Sequence, residues 1–180
     1  MDMTDQIRAL INRLARLDAA ETWKVDLNPA QIAAIEYLGR ANRFSRAPSH
    51  VAEYLGTTRG TMSQTLKSLV RKGYVTERQS ETDKRSISFE LTEAGRPLAG
   101  REGALADAIK ALPAQDQDRL SESLSALLKA RLLANGGRAF GICKTCVHHR
   151  ATENAAHCAL LSLPLSTDET TQICHEQVAA

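Results

Sequence analysis

No cysteine occurs in the first 142 residues; all four of them (Cys143, Cys146, Cys158 and Cys174) fall in the last 38. No apolar run approaches the roughly 18 residues that a bilayer-spanning helix needs. The start, Met1-Asp2-Met3-Thr4-Asp5, is acidic and lacks the apolar stretch of a secretory signal. There is no internal repeat, no low-complexity tract and no strand–helix–strand alternation. These absences exclude a disulfide-framed body, a membrane protein and a repeat array. The expectation is a cytoplasmic protein without a membrane partner, in a compartment where thiols stay reduced. Four clustered cysteines then read as a metal site or a redox device, not as a disulfide framework.

The net charge is also small, +2 over 180 residues, but it is unevenly spread. Residues 43–101 hold 11 basic and 6 acidic side chains, a net of +5. Residues 1–42 carry −1, residues 102–140 carry 0 and residues 141–180 carry −2. A basic excess confined to one central block is what a nucleic-acid-binding face requires. The apolar fraction of 43% is enough for a core, and the length suits one domain with an appendage.

The element order narrows the class. Ile7, Leu10, Ile11, Leu14 and Leu17 repeat at helical spacing on a first helix. Asn28-Pro29-Ala30-Gln31 has the cap, first-turn proline and third-position glutamine of a second helix, running to about Arg40. Pro48 opens a short third helix that Gly56 ends. Thr58 caps a fourth, Arg59 to Lys72, with Gly73 as its stop. Two strand-like runs follow, Tyr74 to Arg78 and Arg85 to Leu91, joined as a hairpin by the polar link from Gln79 to Lys84. Thr92 is expected to cap a helix reaching about Leu112, and Ala114 to Leu133 forms the last. Gly136-Gly137 separates this body from the cysteine-bearing tail. The order is that of a winged helix-turn-helix: mainly α with a small β-wing, flanked by long N- and C-terminal helices. Apolar stripes on those outer helices (Leu120, Leu124, Leu127 and Leu128 on the last) predict a dimerisation domain. The expected division is 1–28 for the N-terminal dimerisation helix and 29–92 for the DNA-binding domain. Residues 93–135 supply the C-terminal dimerisation helices, and 136–180 the tail.

On the fourth helix, Met62, Leu66, Leu69 and Val70 should face inward. Gly60, Gln64, Lys67 and Arg71 are left on the opposite side, with Thr61 and Ser63 at the flanks. Glutamine can pair bidentately with adenine, hydroxyls meet base edges or phosphates, and lysine and arginine neutralise the backbone. Glycine at position 60 lets the helix start approach DNA closely. At the hairpin tip, Arg85 is suited to a narrow minor groove, with Asp83 two residues before it to orient the guanidinium. The candidate DNA-binding residues are Thr58, Arg59, Gly60, Thr61, Ser63, Gln64, Lys67, Asp83, Lys84 and Arg85. There is no catalytic set, so no enzyme is expected.

Several stretches resemble the MarR family of winged-helix transcriptional regulators. They are Val51-Ala52-Glu53-Tyr54-Leu55-Gly56, Arg59-Gly60-Thr61-Met62-Ser63-Gln64-Thr65-Leu66, Leu69-Val70-Arg71-Lys72-Gly73-Tyr74-Val75, Asp83-Lys84-Arg85-Ser86 and Leu91-Thr92-Glu93-Ala94-Gly95. The likeness extends over about residues 5–135. It implies an obligate homodimer, a palindromic double-stranded DNA operator, the helix from Arg59 in the major groove and Arg85 in the minor groove. It also implies control, usually repression, released by a small-molecule effector or by oxidation. Gln64 and Lys67 differ from what many relatives carry, so the operator sequence does not transfer. The N-terminal reactive cysteine of the family's peroxide sensors is absent.

The tail spacing is Cys143-x2-Cys146, eleven residues, Cys158, fifteen residues, Cys174. Four thiolates are the count of a closed tetrahedral site. His148, His149, His157 and His175 lie beside them as neighbours. Zinc suits such a site and would staple a segment too polar to fold alone. An iron–sulfur cluster, [4Fe–4S] or [2Fe–2S], suits it equally. The first pair lacks the Pro and Gly of a typical zinc-knuckle turn, which favours a cluster. Residues 141–180 contain no Phe, Tyr or Trp to shield one, which disfavours it. Such a centre would sense redox or metal state, acting through the last helix to which Gly136-Gly137 joins it. One alternative is a purely structural zinc with a small aromatic effector bound between the dimer and DNA-binding parts. Another class, a thiol–disulfide oxidoreductase built on Cys143-x2-Cys146, lacks the βαβ setting such pairs use.

Overall fold

The computed structural model describes residues 2–21, 26–79, 87–100, 103–134, 136–152 and 155–179. Helix α1 (Met3–Ala20) precedes α2 (Pro29–Arg40), a 3-10 turn (Arg43–Ser45), α3 (Pro48–Tyr54) and α4 (Arg59–Arg71). Strands β1 (Val75–Gln79) and β2 (Ile87–Leu91) form the wing, and α5 (Arg96–Ala99), α6 (Ala104–Lys110) and α7 (Ala114–Leu133) follow. The architecture is mainly helical with a small β-wing.

Local chemistry fixes the frame. In α2 the capping box forms: the Asn28 side chain accepts from Gln31 N at 2.9 Å, and Gln31 Oε1 accepts from Asn28 N at 3.1 Å. Thr58 Oγ1 accepts from Thr61 N at 3.2 Å and so caps α4. Gly56, between α3 and α4, has φ +64°, a left-handed turn that a β-carbon would strain. In the wing, Val75 pairs with Leu91 and Gln79 with Ile87 in antiparallel register. Burial of Ile32, Ile35, Leu38, Met62, Leu66 and Phe89 closes α2, α4 and β2 over one core.

Two expectations need correction. Thr92 does not cap a continuous helix to Leu112; α5 and α6 are separate and short. Gly95 lies against the wing, and a β-carbon there would stand 2.1 Å from the Tyr74 carbonyl oxygen. The Thr92 hydroxyl meanwhile donates to the Gly73 carbonyl at 2.6 Å. This segment is therefore pinned to the start of β1 and turns before α5, and Gly100 and Gly103 bound the break before α6. Val70, expected inward, is 36% exposed. It stands roughly 80° round the helix from Met62, at the rim of the stripe that Leu66 and Leu69 centre.

The outer helices leave their apolar faces uncovered. No residue of α1 or α7 is buried. Leu10, Leu14 and Leu17 on α1, and Leu124, Leu127 and Leu128 on α7, are all about half exposed. Among the described residues no helix is long and apolar enough to cross a membrane.

The tail is a small folded unit, though the sequence signalled no strands in it. β3 (Gly141–Ile142) pairs antiparallel with β7 (Ile173–Cys174). A three-stranded sheet orders β4 (His149–Ala151), β5 (Ala156–Cys158) and β6 (Leu163–Leu165), followed by the single-turn α8 (Thr167–Thr170). It packs directly on the winged helix: Phe140 and Ile173 join the main core.

Candidate functional site

Helix α4 presents the surface that its sequence pattern predicts. Met62, Leu66 and Leu69 are at most 2% exposed, so the helix cannot rotate without emptying the core. Thr58, Arg59, Gly60, Thr61, Gln64, Lys67 and Arg71 are exposed, and Ser63 is half-buried. The hydroxyls are largely engaged within the helix. Thr58 and Thr61 Oγ1 atoms lie 2.9 Å apart at the cap, and Ser63 Oγ donates to the Arg59 carbonyl at 2.8 Å. Outward-facing donor and acceptor capacity therefore rests with Gln64, Lys67, Arg59 and Arg71. Gly60 is the least constrained point, since a β-carbon there would meet nothing nearer than Thr58 Oγ1 at 4.0 Å. The fold does not require glycine at this position. Asp83, Lys84 and Arg85 at the wing tip lie outside the described residues.

Three of the four cysteines come together: Cys143, Cys158 and Cys174 are buried in one cluster with Leu165, while Cys146, three residues after Cys143, is half-buried. Cys143 opens a 3-10 turn after β3, and Cys146 N donates to the Cys143 carbonyl at 3.1 Å, which folds this pair back on itself. Cys146 Sγ accepts from Val178 N at 3.4 Å, the kind of backbone bond that orients a thiolate ligand. Cys158 ends β5 and Cys174 ends β7. All four are free thiols.

The fit to a metal is one of chemistry and gathering, not of a finished coordination shell. Among the described residues no group of three or more Cys, His, Asp or Glu side chains is arranged to hold a metal ion. Burial, followed by the neighbouring Cys174, Cys158 and Cys146, pushes the Cys143 thiol up to about 11. A thiol-exchange pair needs a lowered pKa, so this site does not resemble one. A cation bound here would have to displace the proton from the Cys143 thiol, so its uptake would release protons. Among the described residues the buried polar side-chain atoms without partners are Asn42 Nδ2, His50 Nδ1, His149 Nε2 and Gln172 Oε1; His149 is the residue paired with Cys158 in the sheet.

Sequence reasoning missed the floor on which this cluster sits. Phe44, on the 3-10 turn between α2 and α3, packs against the cysteines, with the Arg43 guanidinium 4.5 Å over its ring. The aromatic cover that residues 141–180 lack is supplied by the winged helix. Arg43 Nη1 pairs with the buried Glu169 carboxylate at 2.9 Å, and Arg43 also donates to the Pro164 carbonyl at 2.8 Å. Asn42 N donates to the Ile173 carbonyl at 2.9 Å, and His175 N donates to Ser45 Oγ at 2.8 Å. The His175 ring stacks on His50 of α3 with centroids 3.6 Å apart. Both imidazoles are held below the ordinary range, first by burial, and His50 falls to about 4. No sequence signal short of pairing Phe44 with the distant cysteines would have found these contacts.

Two cavities lie between the outer helices and the winged helix. One, of about 280 Å³, is lined by Asp18, Glu36, Arg40 and Ile109 among others. The other, of about 270 Å³, lies among Tyr54, Leu128, Leu132, Arg138 and Phe140. Both are near the lower end of the size range of small-molecule sites.

The comparisons bear on the helix-turn-helix frame. Residues 25–86 match the MarR family model. The matched stretch takes in α2, α3, α4 and β1. Solved MarR-type structures extend the likeness in fold. A MarR transcriptional regulator from Methanosarcina mazei Go1 superposes with TM-score 0.60 at 21% identity, covering 72% of this chain and 99% of that one. The S. aureus MepR–DNA complex gives 0.58 at 18% identity, covering 72% and 98%. Streptococcus pneumoniae FabT in complex with DNA gives 0.57 at 20%, covering 71% and 93%. These three chains are spanned almost whole, while more than a quarter of this chain lies outside each alignment. A comparison with curated proteins gives no match.

Proposed function

We propose that the chain is a sequence-specific, DNA-binding transcriptional regulator of MarR type, acting as a homodimeric repressor on a palindromic operator. The observation that carries this reading is α4: its apolar face is locked in the core, and its opposite face presents Gln64, Lys67 and Arg71 around an unfilled position at Gly60. Lys67 and Arg59 neutralise phosphates, Gln64 reads a base edge, and the capped N-terminus of α4 points its amides toward the backbone. Thr58, Thr61 and Ser63 hold the helix start in shape. Asp83, Lys84 and Arg85 act from the wing in the minor groove. MepR and FabT, similar in fold, were each solved in complex with DNA, which supports DNA as the partner.

The working division is residues 1–28 and 93–135 for dimerisation, 29–92 for DNA binding and 136–180 for the tail. The uncovered leucine faces of α1 and α7 meet their counterparts in a second copy. Cys143, Cys146, Cys158 and Cys174 hold zinc or an iron–sulfur cluster, and the state of that centre sets operator affinity. The tail's own buried cluster is three cysteines and one leucine, so its order rests on anchorage to the winged helix through Phe140, Ile173 and Glu169, which a metal would reinforce. A small-molecule effector is a second input, and the cavity beside Tyr54 and Phe140 is where it would lodge.

The test is selection from a random duplex pool with the full-length protein, followed by titration of the selected site. A two-fold symmetric sequence bound by two protomers is expected, with a Gln64→Ala variant losing preference at one base pair per half-site. Equal losses on selected and random DNA would refute the reading role of Gln64. Metal analysis and a visible spectrum of anaerobically purified protein distinguish a brown iron-containing centre from colourless zinc, and metal-free protein would remove the centre from the proposal.

A further inference from the structure

The tail is joined in sequence to α7, yet its densest contacts run to the turn between α2 and α3. That turn, Asn42 to Arg46, is a junction of the reading head. Tyr37 of α2 donates its buried hydroxyl to the Ser45 carbonyl at 2.7 Å. The Arg46 carbonyl accepts from Phe89 N of the wing at 3.1 Å, and Arg46 Nε donates back to the Ala41 carbonyl at 2.9 Å. α3, which packs against α4, begins only two residues later.

The tail grips this junction on three sides. Phe44 lies on the cysteine cluster, Arg43 reaches over it to Glu169, and Ser45 Oγ accepts a hydrogen bond from the backbone N–H of His175, the residue after Cys174. Ser45 Oγ in turn donates to Asn42 Oδ1 at 2.8 Å, and the buried Asn42 Nδ2 has no acceptor.

We infer that the four-cysteine centre is a composite site, with the Asn42–Arg46 turn of the same protomer as its inner wall. Filling or emptying it therefore acts on α3, α4 and the wing through that turn, without passing through the dimerisation helices. The inference rests on the reading of the chain as a DNA-binding regulator with a thiolate-held metal. Its occupant is a thiophilic centre, zinc or an iron–sulfur cluster, bound through sulfur. Emptying the site frees Phe44 and slackens the β7–Asn42 pairing. The spacing between recognition helix and wing then changes within each protomer, even if the dimer axis does not move.

The experiment uses the full-length dimer, as purified anaerobically and after chelation and reloading with Zn²⁺. Its readout is the ratio of dissociation constants, empty over loaded, on the duplex selected by wild-type protein. For wild type the ratio should be at least about 5, the low end of ordinary allosteric coupling. Inserting three glycines between Gly136 and Gly137 uncouples the tail from α7 but leaves the turn contacts intact, so the ratio should persist. Ser45→Ala and the pair Arg43→Ala with Glu169→Gln leave all four cysteines in place. They should keep one metal complement while the ratio falls toward 1. Loss of the ratio in the glycine insertion, with its persistence in the turn variants, would assign transmission to α7 and overturn the inference. A wild-type ratio of 1 would overturn it as well. If wild type selects no duplex or binds no metal, the functional reading itself fails, and the two failures are distinct. Should Arg43→Ala with Glu169→Gln lose its metal, Ser45→Ala decides.

Discussion

Gly60→Ala separates what the fold needs from what DNA needs. Position 60 is the second residue of α4, is solvent-exposed, and has open space around the site of a β-carbon, with Thr58 Oγ1 nearest at 4.0 Å. Its backbone is not among the positive-φ glycines, so alanine is unstrained there. Alanine is favoured over glycine by up to ~1 kcal/mol in a helix interior; in the first turn about half of that is a fair allowance. Melting should therefore rise by roughly 1–2 °C for a chain of this size. Operator binding should move the other way. Gly60 lies about 160° round the helix from Met62, facing away from the core. A methyl group forced into a close backbone–DNA contact costs about 1–3 kcal/mol, or roughly 5- to 150-fold in dissociation constant. Thermal denaturation and fluorescence anisotropy on the selected duplex measure both. A variant that binds within twofold of wild type would refute close approach at Gly60. A variant that melts lower would show that the glycine serves the fold.

Lys67→Ala should weaken selected and random duplexes alike and reduce the slope of log affinity against log salt by about one unit, measured by titration at several salt concentrations. Leu124→Glu with Leu128→Glu places two charges on the half-exposed face of α7. It should yield monomers in sedimentation equilibrium and abolish cooperative occupancy of a palindrome, whereas a persistent dimer would place the interface elsewhere. Tyr37→Phe removes the buried donor to the Ser45 carbonyl and should cost about 1–3 kcal/mol in urea unfolding. His50 gives a pH dependence with a defined sign. Burial, then His175 and Arg138, lowers its pKa to about 4 against the opposing pull of Glu176. The unfolded chain binds the proton first, so stability is full above pH 6.5 and declines as pH falls from there toward 4. With His50 half-exposed, screening reduces the loss between pH 7 and 5 to on the order of 1 kcal/mol, and His50→Gln should flatten it.

The reading head was legible in the sequence because its signals are local. A capping box at Asn28, a cap at Thr58 and a period-3.6 stripe through Met62, Leu66 and Leu69 each lie within one turn or one helix. Ala114–Leu133 emerges at the expected bounds for the same reason. The helix expected from Thr92 begins there, with Arg96 N donating to the Thr92 carbonyl at 3.0 Å. It is divided where Gly100 and Gly103 bound α5 and α6, a cost in helix propensity that the apolar spacing does not reveal. Val70 failed at the edge of a stripe, where periodicity does not discriminate. In the tail the sequence singled out the cysteines, three of which share one buried cluster, but strands of two or three residues leave no periodic trace.

The contacts of Phe44 were illegible for a different reason, and that reason bears on mechanism. Nothing near Phe44 in the sequence distinguishes it from an ordinary apolar residue of a connecting turn, and its partners lie about 100 residues away or more. A tail that merely trailed from α7 would have no use for such a residue. It would bury its few apolar groups on its own or leave them exposed. Here the tail places Ile173 in the main core, sets His175 on His50 and ties Glu169 to Arg43, all around the single turn that joins α2, α3 and the wing. The buried cysteine cluster is thus set down against the turn that opens the +5 block of the chain. On the proposed reading, a metal taken up by the cysteines would act on the reading head at this turn, next to the α3 that packs against α4.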